Sequence, residues 1–429
     1  MLTLSKFHTL TESKNFMYKH KYLDITRLTN NPNIFHLFKV VESHGGVLRF
    51  VGGSVRDAIA GIKGFDIDLA TDLSPDELVE ACEESAIKTI PIGIKFGTVG
   101  VVIDDQTLEV TSLRKDIKTD GRHAEVVFTS DWKEDASRRD LTINAVYADE
   151  KGDVFDYYNG IDDLEKGIIR FIGNANQRIR EDYLRILRFF RFYSIFSKAP
   201  IDEKALEGCK ENKEGLKQLS MERIRDEMFK LLLTPKVVET LKIMFDNEIL
   251  SYVLPDTCHL NDLDFLVNKL QAQDLPNAAL RRLFILYTPE ETLAENLATR
   301  LRMSNKQRED FVNWSRFHPS LNEFLDSKSL RRLIYLYGYD FCRDKLILQC
   351  ALEHKLLPNI REIITEASHI KLPSFEIKGR DVIAAGIKNN HKISEVLEEL
   401  EQIWIESDFQ LSHSELIEHL PQIIQEKSA

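Results

Sequence analysis

The stretch that decides the fold is Arg49-Phe-Val-Gly52-Gly-Ser-Val-Arg56, followed ten residues later by Asp66-Ile-Asp68-Leu-Ala. The apolar residues before the two glycines predict a buried strand, and the residues after them predict an amphipathic helix. A glycine turn between a strand and a helix brings backbone N–H groups close to an anion, and the helix N-terminus favours negative charge. The stretch therefore predicts a phosphate-binding turn at Gly53, with Arg56 near the start of the helix.

Two aspartates follow this turn at the spacing of alternate strand residues. Because strand side chains alternate between faces, Asp66 and Asp68 are predicted on one face while Ile67 points the other way. A lone pair of this kind is far more often a solvated strand end than a metal site. Beside a phosphate turn, however, paired carboxylates are what two-metal phosphoryl chemistry needs.

The composition is that of a globular protein of several domains. The chain has 429 residues, of which 43% are hydrophobic and 29% charged, enough for two to four domains. No run of about 18 apolar residues occurs, so we expect no membrane span. The cysteines are odd in number and lack C-x-x-C spacing, which predicts a reducing compartment, no zinc site and no disulfide-linked partner. We therefore expect a cytoplasmic protein, or one of the mitochondrial matrix if the source is eukaryotic.

The net charge of −12 is unevenly distributed along the sequence. Between Arg170 and Arg191 there are six arginines against Glu181 and Asp182, whereas residues 393–429 carry nine acids against one lysine. Nucleic-acid affinity rests largely on neutralised phosphates. The pattern therefore predicts an RNA-facing surface in the middle of the chain and a solvated C-terminal tail.

The signature Gly52-Gly-Ser-Val-Arg-Asp57 with Asp66-x-Asp-x-Ala-Thr71 closely resembles that of class II nucleotidyltransferases. These are the tRNA CCA-adding enzymes and bacterial poly(A) polymerases of the polymerase-β superfamily, and the C-terminus is similar to the alphaproteobacterial and mitochondrial type. The resemblance implies an α+β fold, with a small mixed sheet and helices in a head, followed by helices alone. The predicted segments are a partly disordered N-terminus at 1–31, a catalytic head at 32–149, a neck at 150–235, a body at 236–370 and a tail at 371–429.

Two further motifs extend this resemblance. Glu109-Val-Thr-Ser-Leu-Arg114 resembles the family's E-V-T-x-x-R, which implies that Glu109 is a third carboxylate near the metals; otherwise it is an exposed strand residue. Arg138-Arg139-Asp-Leu-Thr-Ile-Asn144 resembles R-R-D-F-T-I-N, and we expect it on a half-buried helix. Arg139 is then predicted to bind nucleotide phosphate through its guanidinium fork, although an arginine pair on a helix is usually only a solvated face.

A continuous helix is predicted through Glu181-Asp182-Tyr-Leu-Arg185, and it matches the family's E-D-x-L-R-x-x-R-x-x-R. Asp182 and Arg185 are either a local ion pair or readers of a base edge. Asp only accepts hydrogen bonds and Arg only donates them, which suits cytosine and adenine and rejects guanine and uracil. Arg188 and Arg191 would then serve phosphates or orient the pair. Leu219-Ser-Met-Glu-Arg223-Ile resembles a motif thought to brace this helix.

The polar segment from Arg114 to Asp135 is predicted to be a mobile loop. In the family such a loop accompanies full CCA addition, and we expect it to re-aim the base-reading residues between cytosine and adenine. The alternative is a solvated connection without such a role. The structural consequence of either interpretation is an irregular segment between the Glu109 strand and the Arg139 motif.

The resemblance implies a template-independent enzyme that transfers CMP and AMP from CTP and ATP to the 3′ end of tRNA. Asp66 and Asp68 would hold Mg²⁺, with Gly53 and Arg56 around the triphosphate. A poly(A) polymerase and an enzyme adding only CC or only A remain open, as does a catalytically dead RNA-binding protein. The sequence leaves the oligomeric state open.

Overall fold

The computed structural model describes residues 22–64, 66–120, 123–255, 258–270, 274–386 and 390–426. The chain divides into two compact units, Met1–Asp256 and Thr257–Ala429. Most of the N-terminal segment predicted to be partly disordered, residues 1–21, lies outside the described residues. Within those residues, no helix is both long and apolar enough to cross a membrane.

Nine strands occur in the described part of the first unit. They are β1 Leu48–Val51, β2 Asp68–Thr71, β3 Thr89–Gly93, β4 Thr98–Ile103, β5 Gln106–Ser112, β6 Arg114–Asp120, β7 His123–Phe128, β8 Val146–Ala148 and β9 Val154–Asp156. Seven of them form one sheet in the order β3-β4-β5-β2-β1-β8-β9, while β6 pairs with β7. The sheet is mixed, because β2 and β5 run parallel and the other neighbours run antiparallel.

Ten α-helices accompany these strands in the described part of the first unit. They are α1 Pro32–Ser43, α2 Gly53–Ala60, α3 Pro75–Glu84, α4 Trp132–Ser137, α5 Gly160–Lys166, α6 Ala175–Glu181, α7 Leu184–Phe196, α8 Glu203–Asn212, α9 Met221–Leu232 and α10 Val237–Asp246. The capping box of α3 shows why it begins where it does: Ser74 accepts a bond from the Glu77 N–H, and Glu77 accepts one from the Ser74 N–H. A mixed sheet followed by helices is the α+β arrangement that the sequence predicted.

The two faces of the large sheet have different roles. Leu108 and Val110 of β5 are buried in the main hydrophobic cluster with residues of α1 and α3. Because strand side chains alternate, Glu109 between them points to the opposite face. That face therefore carries Thr107, Glu109 and Thr111 of β5, and the core packs against the other face.

The loop prediction for residues 114–135 was wrong for most of its length. β6 and β7 form an antiparallel pair in which Arg114 stands opposite Phe128, and α4 follows. A dense run of charged residues concealed strand-forming Ile117, Thr119 and Val126, which alternate with those charges only in part. The head sheet also continues past residue 149, because β8 and β9 pair as a hairpin. The division into five segments otherwise stays a prediction.

In its described residues the second unit contains helices and no strands. Its helices are α11 Leu260–Asn268, α12 Ala278–Tyr287, α13 Glu291–Arg300, α14 Asn305–Arg316, α15 Leu321–Leu325, α16 Ser327–Tyr337, α17 Tyr339–Leu352, α18 Ile360–Ser368, α19 Gly379–Ala384, α20 Asn390–Glu406 and α21 His413–Glu426. One core cluster joins Val382 to Val396, Leu400 and Trp404, all buried. The C-terminal segment thus has a hydrophobic core of its own.

Candidate active site

The glycine turn predicted from the sequence lies between β1 and α2. Gly52 has φ +63°, a conformation that L side chains rarely adopt, and a Cβ there would lie 3.1 Å from Arg139 Nη1. A Cβ on Gly53 would lie 3.7 Å from both Arg56 Nη2 and Asp68 Oδ2. The backbone therefore comes close to two guanidinium groups and one carboxylate, and both glycines keep that approach open.

Three carboxylates meet beside this turn. Asp68 opens β2 and stands opposite Glu109 of the parallel strand β5, whereas Asp66 precedes the strand instead of lying on it as predicted. Among the described residues none of the three side chains has a hydrogen-bond or ion-pair partner. Withdrawal from water and the nearby charges of Glu109 and Asp66 raise the pKa of Asp68, while Arg139 and Arg56 oppose that shift. This is an electrostatic environment that a cation would relieve.

The carboxylates fit a divalent cation that substrate helps to bind. Mg²⁺ keeps several waters and usually takes one or two carboxylates together with substrate phosphates. Across the described residues, no group of three or more His, Cys, Asp or Glu side chains is placed to hold a metal ion by itself. Asp66 and Asp68 supply the two carboxylates that such a cation takes, and Glu109 stands beside Asp68.

The arginine pair lies on a turn, so the half-buried helix predicted for it was wrong. α4 ends at Ser137, a short 3₁₀ helix covers Thr142–Asn144, and β8 follows. Asp135, almost fully buried, bonds to the residues after its helix: Arg138 Nη2 at 2.6 Å, Arg139 Nη2 at 3.1 Å and Tyr147 Oη at 2.9 Å. Burial opposes ionisation, but Arg139 and Arg138 outweigh it and lower the pKa of Asp135 to about 2.

A row of polar side chains connects α7 with the glycine turn. Arg188 Nε donates to Asp140 Oδ2 at 2.7 Å, Asn144 Nδ2 donates to Asp140 Oδ1 at 2.9 Å, and Arg56 Nη1 donates to Asn144 Oδ1 at 2.5 Å. The sequence reasoning missed Asp140 and Asn144 as site residues. Their spacing could have revealed them, because Asp140 and Asn144 are polar residues four positions apart that flank apolar Leu141 and Ile143.

Asp182 lies at a break between two helices, not within the continuous helix predicted. α6 ends at Glu181, Asp182 is extended with φ −157° and ψ 107°, and α7 begins at Leu184. Its Oδ1 accepts the Leu184 N–H at 3.1 Å, a local bond that competes with helix formation. Its Oδ2 accepts Arg223 Nη2 at 2.7 Å. Arg223 belongs to the motif predicted to brace this helix, and it binds Asp182 directly.

Arg185 does not pair with Asp182 as helix spacing suggested. Its Nη1 donates to Glu181 Oε2 at 2.6 Å and to the Arg178 carbonyl at 2.9 Å, and its Nη2 donates to the Arg138 carbonyl at 2.9 Å. The break at Asp182 is the physical reason, because it removes the i,i+3 geometry on which the pairing depended. Arg185 instead joins α6, α7 and the turn after α4.

Three guanidinium groups crowd around Phe192, which the sequence reasoning did not select. Its ring lies 4.2 Å from Arg191 Cζ, 4.7 Å from Arg56 Cζ and 5.4 Å from Arg188 Cζ. Burial lowers the pKa of Arg191, Glu227 opposes that shift, and Arg188 and Arg56 add to it. Like charges held this close favour an anionic ligand.

These residues line one cleft of about 770 Å³. Its walls include Gly53, Arg56, Asp66, Asp68, Arg139, Asp182, Arg185, Arg188 and Arg191, which are all of the predicted site residues except Glu109. Glu109 stands beside Asp68 across the β2–β5 pair. A second cleft of about 1030 Å³ beside α8 contains none of them. The cleft therefore places carboxylates, a glycine turn and cations together.

Comparison with known proteins finds relatives of this chain in sequence and in fold. Residues 48–170 match the family model for the poly A polymerase head domain, and residues 200–260 match the probable RNA and SrmB-binding site of polymerase A. The human CCA tRNA nucleotidyltransferase 1, mitochondrial, is 34% identical over 399 residues, covering 89% of this chain and 87% of the relative. The CCA-adding enzyme of Staphylococcus haemolyticus is 30% identical, covering 85% and 91%.

Solved structures share the fold at lower identity. The CCA-adding enzyme of Bacillus stearothermophilus in complex with CTP has a TM-score of 0.77 at 22% identity, covering 92% of this chain and 98% of that chain. The CCA-adding enzyme of Thermotoga maritima complexed with tRNA has a TM-score of 0.64 at 20% identity, covering 95% and 100%. At these identities the likeness concerns the fold.

Proposed function

The chain belongs to the family of CCA-adding tRNA nucleotidyltransferases, and we propose that it adds CMP and AMP from CTP and ATP to the 3′ end of tRNA without a template. The observation that carries the proposal is the cleft in which Asp66 and Asp68 lie beside a glycine turn and a group of arginines, with Glu109 next to Asp68 on the neighbouring strand. A nucleoside triphosphate needs these elements: donors for its phosphates and carboxylates beside its α-phosphorus.

The transfer follows from what each part of the cleft supplies. The tRNA 3′-hydroxyl gives its proton to water and its oxygen bonds to the α-phosphorus. The bond between the α-phosphorus and the oxygen that bridges to the β-phosphate breaks, and pyrophosphate leaves. Asp66 and Asp68 would hold Mg²⁺, with Glu109 beside them, and the metal would supply activation of the hydroxyl and stabilisation of the leaving group. The Gly53 turn, Arg56 and Arg139 position the triphosphate.

Base choice is assigned to Asp182 and Arg185, as the sequence predicted. Asp182 accepts from an amino group and Arg185 donates to a ring acceptor, which selects cytosine and adenine. A base with a carbonyl in place of the amino group leaves a buried acceptor unpaired, at a cost that supports strong rejection. Since Arg223 binds Asp182 and Glu181 binds Arg185, an entering base shares or replaces these bonds.

One assay tests the proposed function. tRNA lacking its CCA end is incubated with Mg²⁺ and each nucleotide singly or in combination. We expect CTP alone to add two residues, CTP with ATP to add a third, and UTP or GTP to add none. Failure of CTP incorporation in a folded, Mg²⁺-supplied preparation would contradict the proposal.

The second candidate function is a poly(A) polymerase, favoured by the description of the matching head-domain model. Long tails from ATP alone, without CTP incorporation, would support it. Addition of CC only or A only would mark a partial enzyme, and no transfer at all a dead RNA-binding protein. Asp66, Asp68 and Glu109 have no side-chain partner among the described residues, which argues against the last possibility.

The proposed partners are tRNA, CTP and ATP, and the proposed compartment is the cytoplasm. The five cysteines are free, and all except Cys258 are buried. Thiols without partners suit a reducing compartment. Fractionation of the native source, with the protein followed by antibody, tests this assignment against the mitochondrial matrix.

A further inference from the structure

Every arginine that lines the cleft is already paired with a carboxylate. The pairs are Arg56–Asp57, Arg138–Asp135, Arg139–Asp135, Arg185–Glu181, Arg188–Asp140 and Arg191–Glu227. These acids hold the guanidinium groups in fixed geometry and compensate much of their charge. A triphosphate entering the cleft therefore meets few cations free to move toward its terminal phosphates.

Lys230 is the exception among the cations lining the cleft. Its side chain is exposed and lines the same walls as Arg56 and Phe192. Within the described part of the chain it has no ion-pair or side-chain hydrogen-bond partner. No part of the proposed function uses Lys230, so this charge is unassigned.

The position of Lys230 on α9 places it beyond the base-reading end of the cleft. Arg223, Glu227 and Lys230 follow at spacings of four and three, so they lie on one face of the helix. Arg223 binds Asp182, and Glu227 binds Arg191. From Arg223 to Lys230 the helix rises roughly 10 Å. The face thus runs from the base-reading aspartate past the arginines around Phe192 to a free ammonium group.

We propose that Lys230 binds the terminal phosphates of the incoming nucleotide and the pyrophosphate that leaves. The inference rests on the proposed function and extends it by one binding residue. A lysine is a point charge on a flexible stem. It can therefore follow the two phosphates as they separate from the α-phosphorus, while the paired arginines stay in place.

The test compares Lys230→Ala and Lys230→Arg with the wild type, with Lys242→Ala as the matched control. Lys242 is also an exposed helical lysine, but it pairs with Asp246 and lies outside the cleft walls. Calorimetry measures the binding of CTP, CMP and inorganic tripolyphosphate by the full chain. From the usual strength of charged hydrogen bonds we expect Lys230→Ala to weaken the binding of CTP and of tripolyphosphate about tenfold. The Kd of CMP should change less than twofold, and Lys230→Arg should restore most of the lost affinity for CTP.

A kinetic readout separates phosphate binding from a structural role. The inhibition constant of pyrophosphate should rise by the same factor in Lys230→Ala as the Kd of CTP. Equal weakening of CMP and CTP would identify a structural defect and overturn the proposal. So would unchanged CTP binding, or a rise in KM for tRNA alone, which would place Lys230 on the RNA. A different pair of results would overturn the proposed function and leave the role of Lys230 standing. In that case the wild type fails to extend tRNA, while Lys230→Ala still binds tripolyphosphate more weakly than the wild type does.

Discussion

Asp68 occupies a position where its charge costs folding energy, so its role is expected to show in activity and not in stability. Its pKa is raised by withdrawal from water and by Glu109, and its side chain has no partner in the described residues. We therefore expect Asp68→Asn to lower nucleotide transfer by at least a thousandfold. The thermal midpoint should stay unchanged or rise slightly, because a like-charge contact is lost. Normal turnover of this variant with Mg²⁺ would remove the metal assignment.

Asp182 tests the assignment of base choice. Asp182→Ala deletes the acceptor for an exocyclic amino group, so we expect the preference for CTP over UTP to fall at least tenfold. The Kd of CTP should change less than that preference, because the phosphates are bound elsewhere. Competition between CTP and UTP on one tRNA primer measures this directly. The control is Asp226→Ala, because Asp226 is an exposed acid on α9 that pairs with Arg225. If both variants prefer CTP over UTP equally, Asp182 does not select the base.

Asp135 predicts a pH dependence of stability. Its folded pKa of about 2 lies below the ordinary value of 3.8. The stabilisation is therefore complete above about pH 4 and lost as the pH falls toward 2, with a change of about 2 kcal/mol. Asp135→Asn leaves Arg138 and Arg139 without their carboxylate and should lower the urea midpoint of the first unit at pH 7. The difference in urea midpoint between wild type and variant should become smaller as the pH falls from 4 to 2. A difference that does not change with pH would contradict the lowered pKa of Asp135.

At the level of elements, the sequence predicted what local physics determines. The turn at Gly52 was predictable because glycine between an apolar run and a helix has few other uses. The helix predicted after the two glycines is observed as Gly53–Ala60. The break at Asp182 was not predictable, because apolar residues continue at helical spacing through it. Its cause includes a bond from Arg223, 41 residues away, which no local pattern contains.

The ribbon of β6 and β7 is the element to which we assign the switch from cytosine to adenine. Its base is joined to the head, since the Thr129 N–H donates to the Leu113 carbonyl at 3.0 Å and Lys115 pairs with Glu134. Replacing 116–121 by a short Gly/Ser linker keeps that base and removes most of β6. We expect this variant to add CC at a near-normal rate and to fail to add the terminal A. The tRNA products are separated on a sequencing gel. Terminal A addition at the wild-type rate would show that the ribbon does not switch the pocket.

At the level of the whole molecule, the candidate active site lies within one unit. All residues of the cleft belong to Met1–Asp256, and the second unit has its own core cluster. The acidic residues after Ile393 belong to that second unit, and none of the described residues that line the cleft comes from that segment. Nucleotide binding is therefore expected to be independent of the C-terminal helices, whereas tRNA binding need not be.

Truncation after Lys392 tests this independence. The deletion removes Val396, Leu400 and Trp404 from the cluster that covers Val382, so the second unit should lose stability, with an earlier thermal transition. The Kd of CTP should stay within twofold of the wild type, because no cleft residue is touched. Binding of tRNA should weaken modestly, since an acidic segment contributes few phosphate contacts.

Leu400→Ala, which opens a cavity without removing a helix, separates the loss of stability from the loss of the C-terminal helices. It should destabilise the second unit and leave the affinity for tRNA nearly unchanged. Loss of CTP binding in a truncated chain whose first unit still unfolds cooperatively would contradict the separation of the two units.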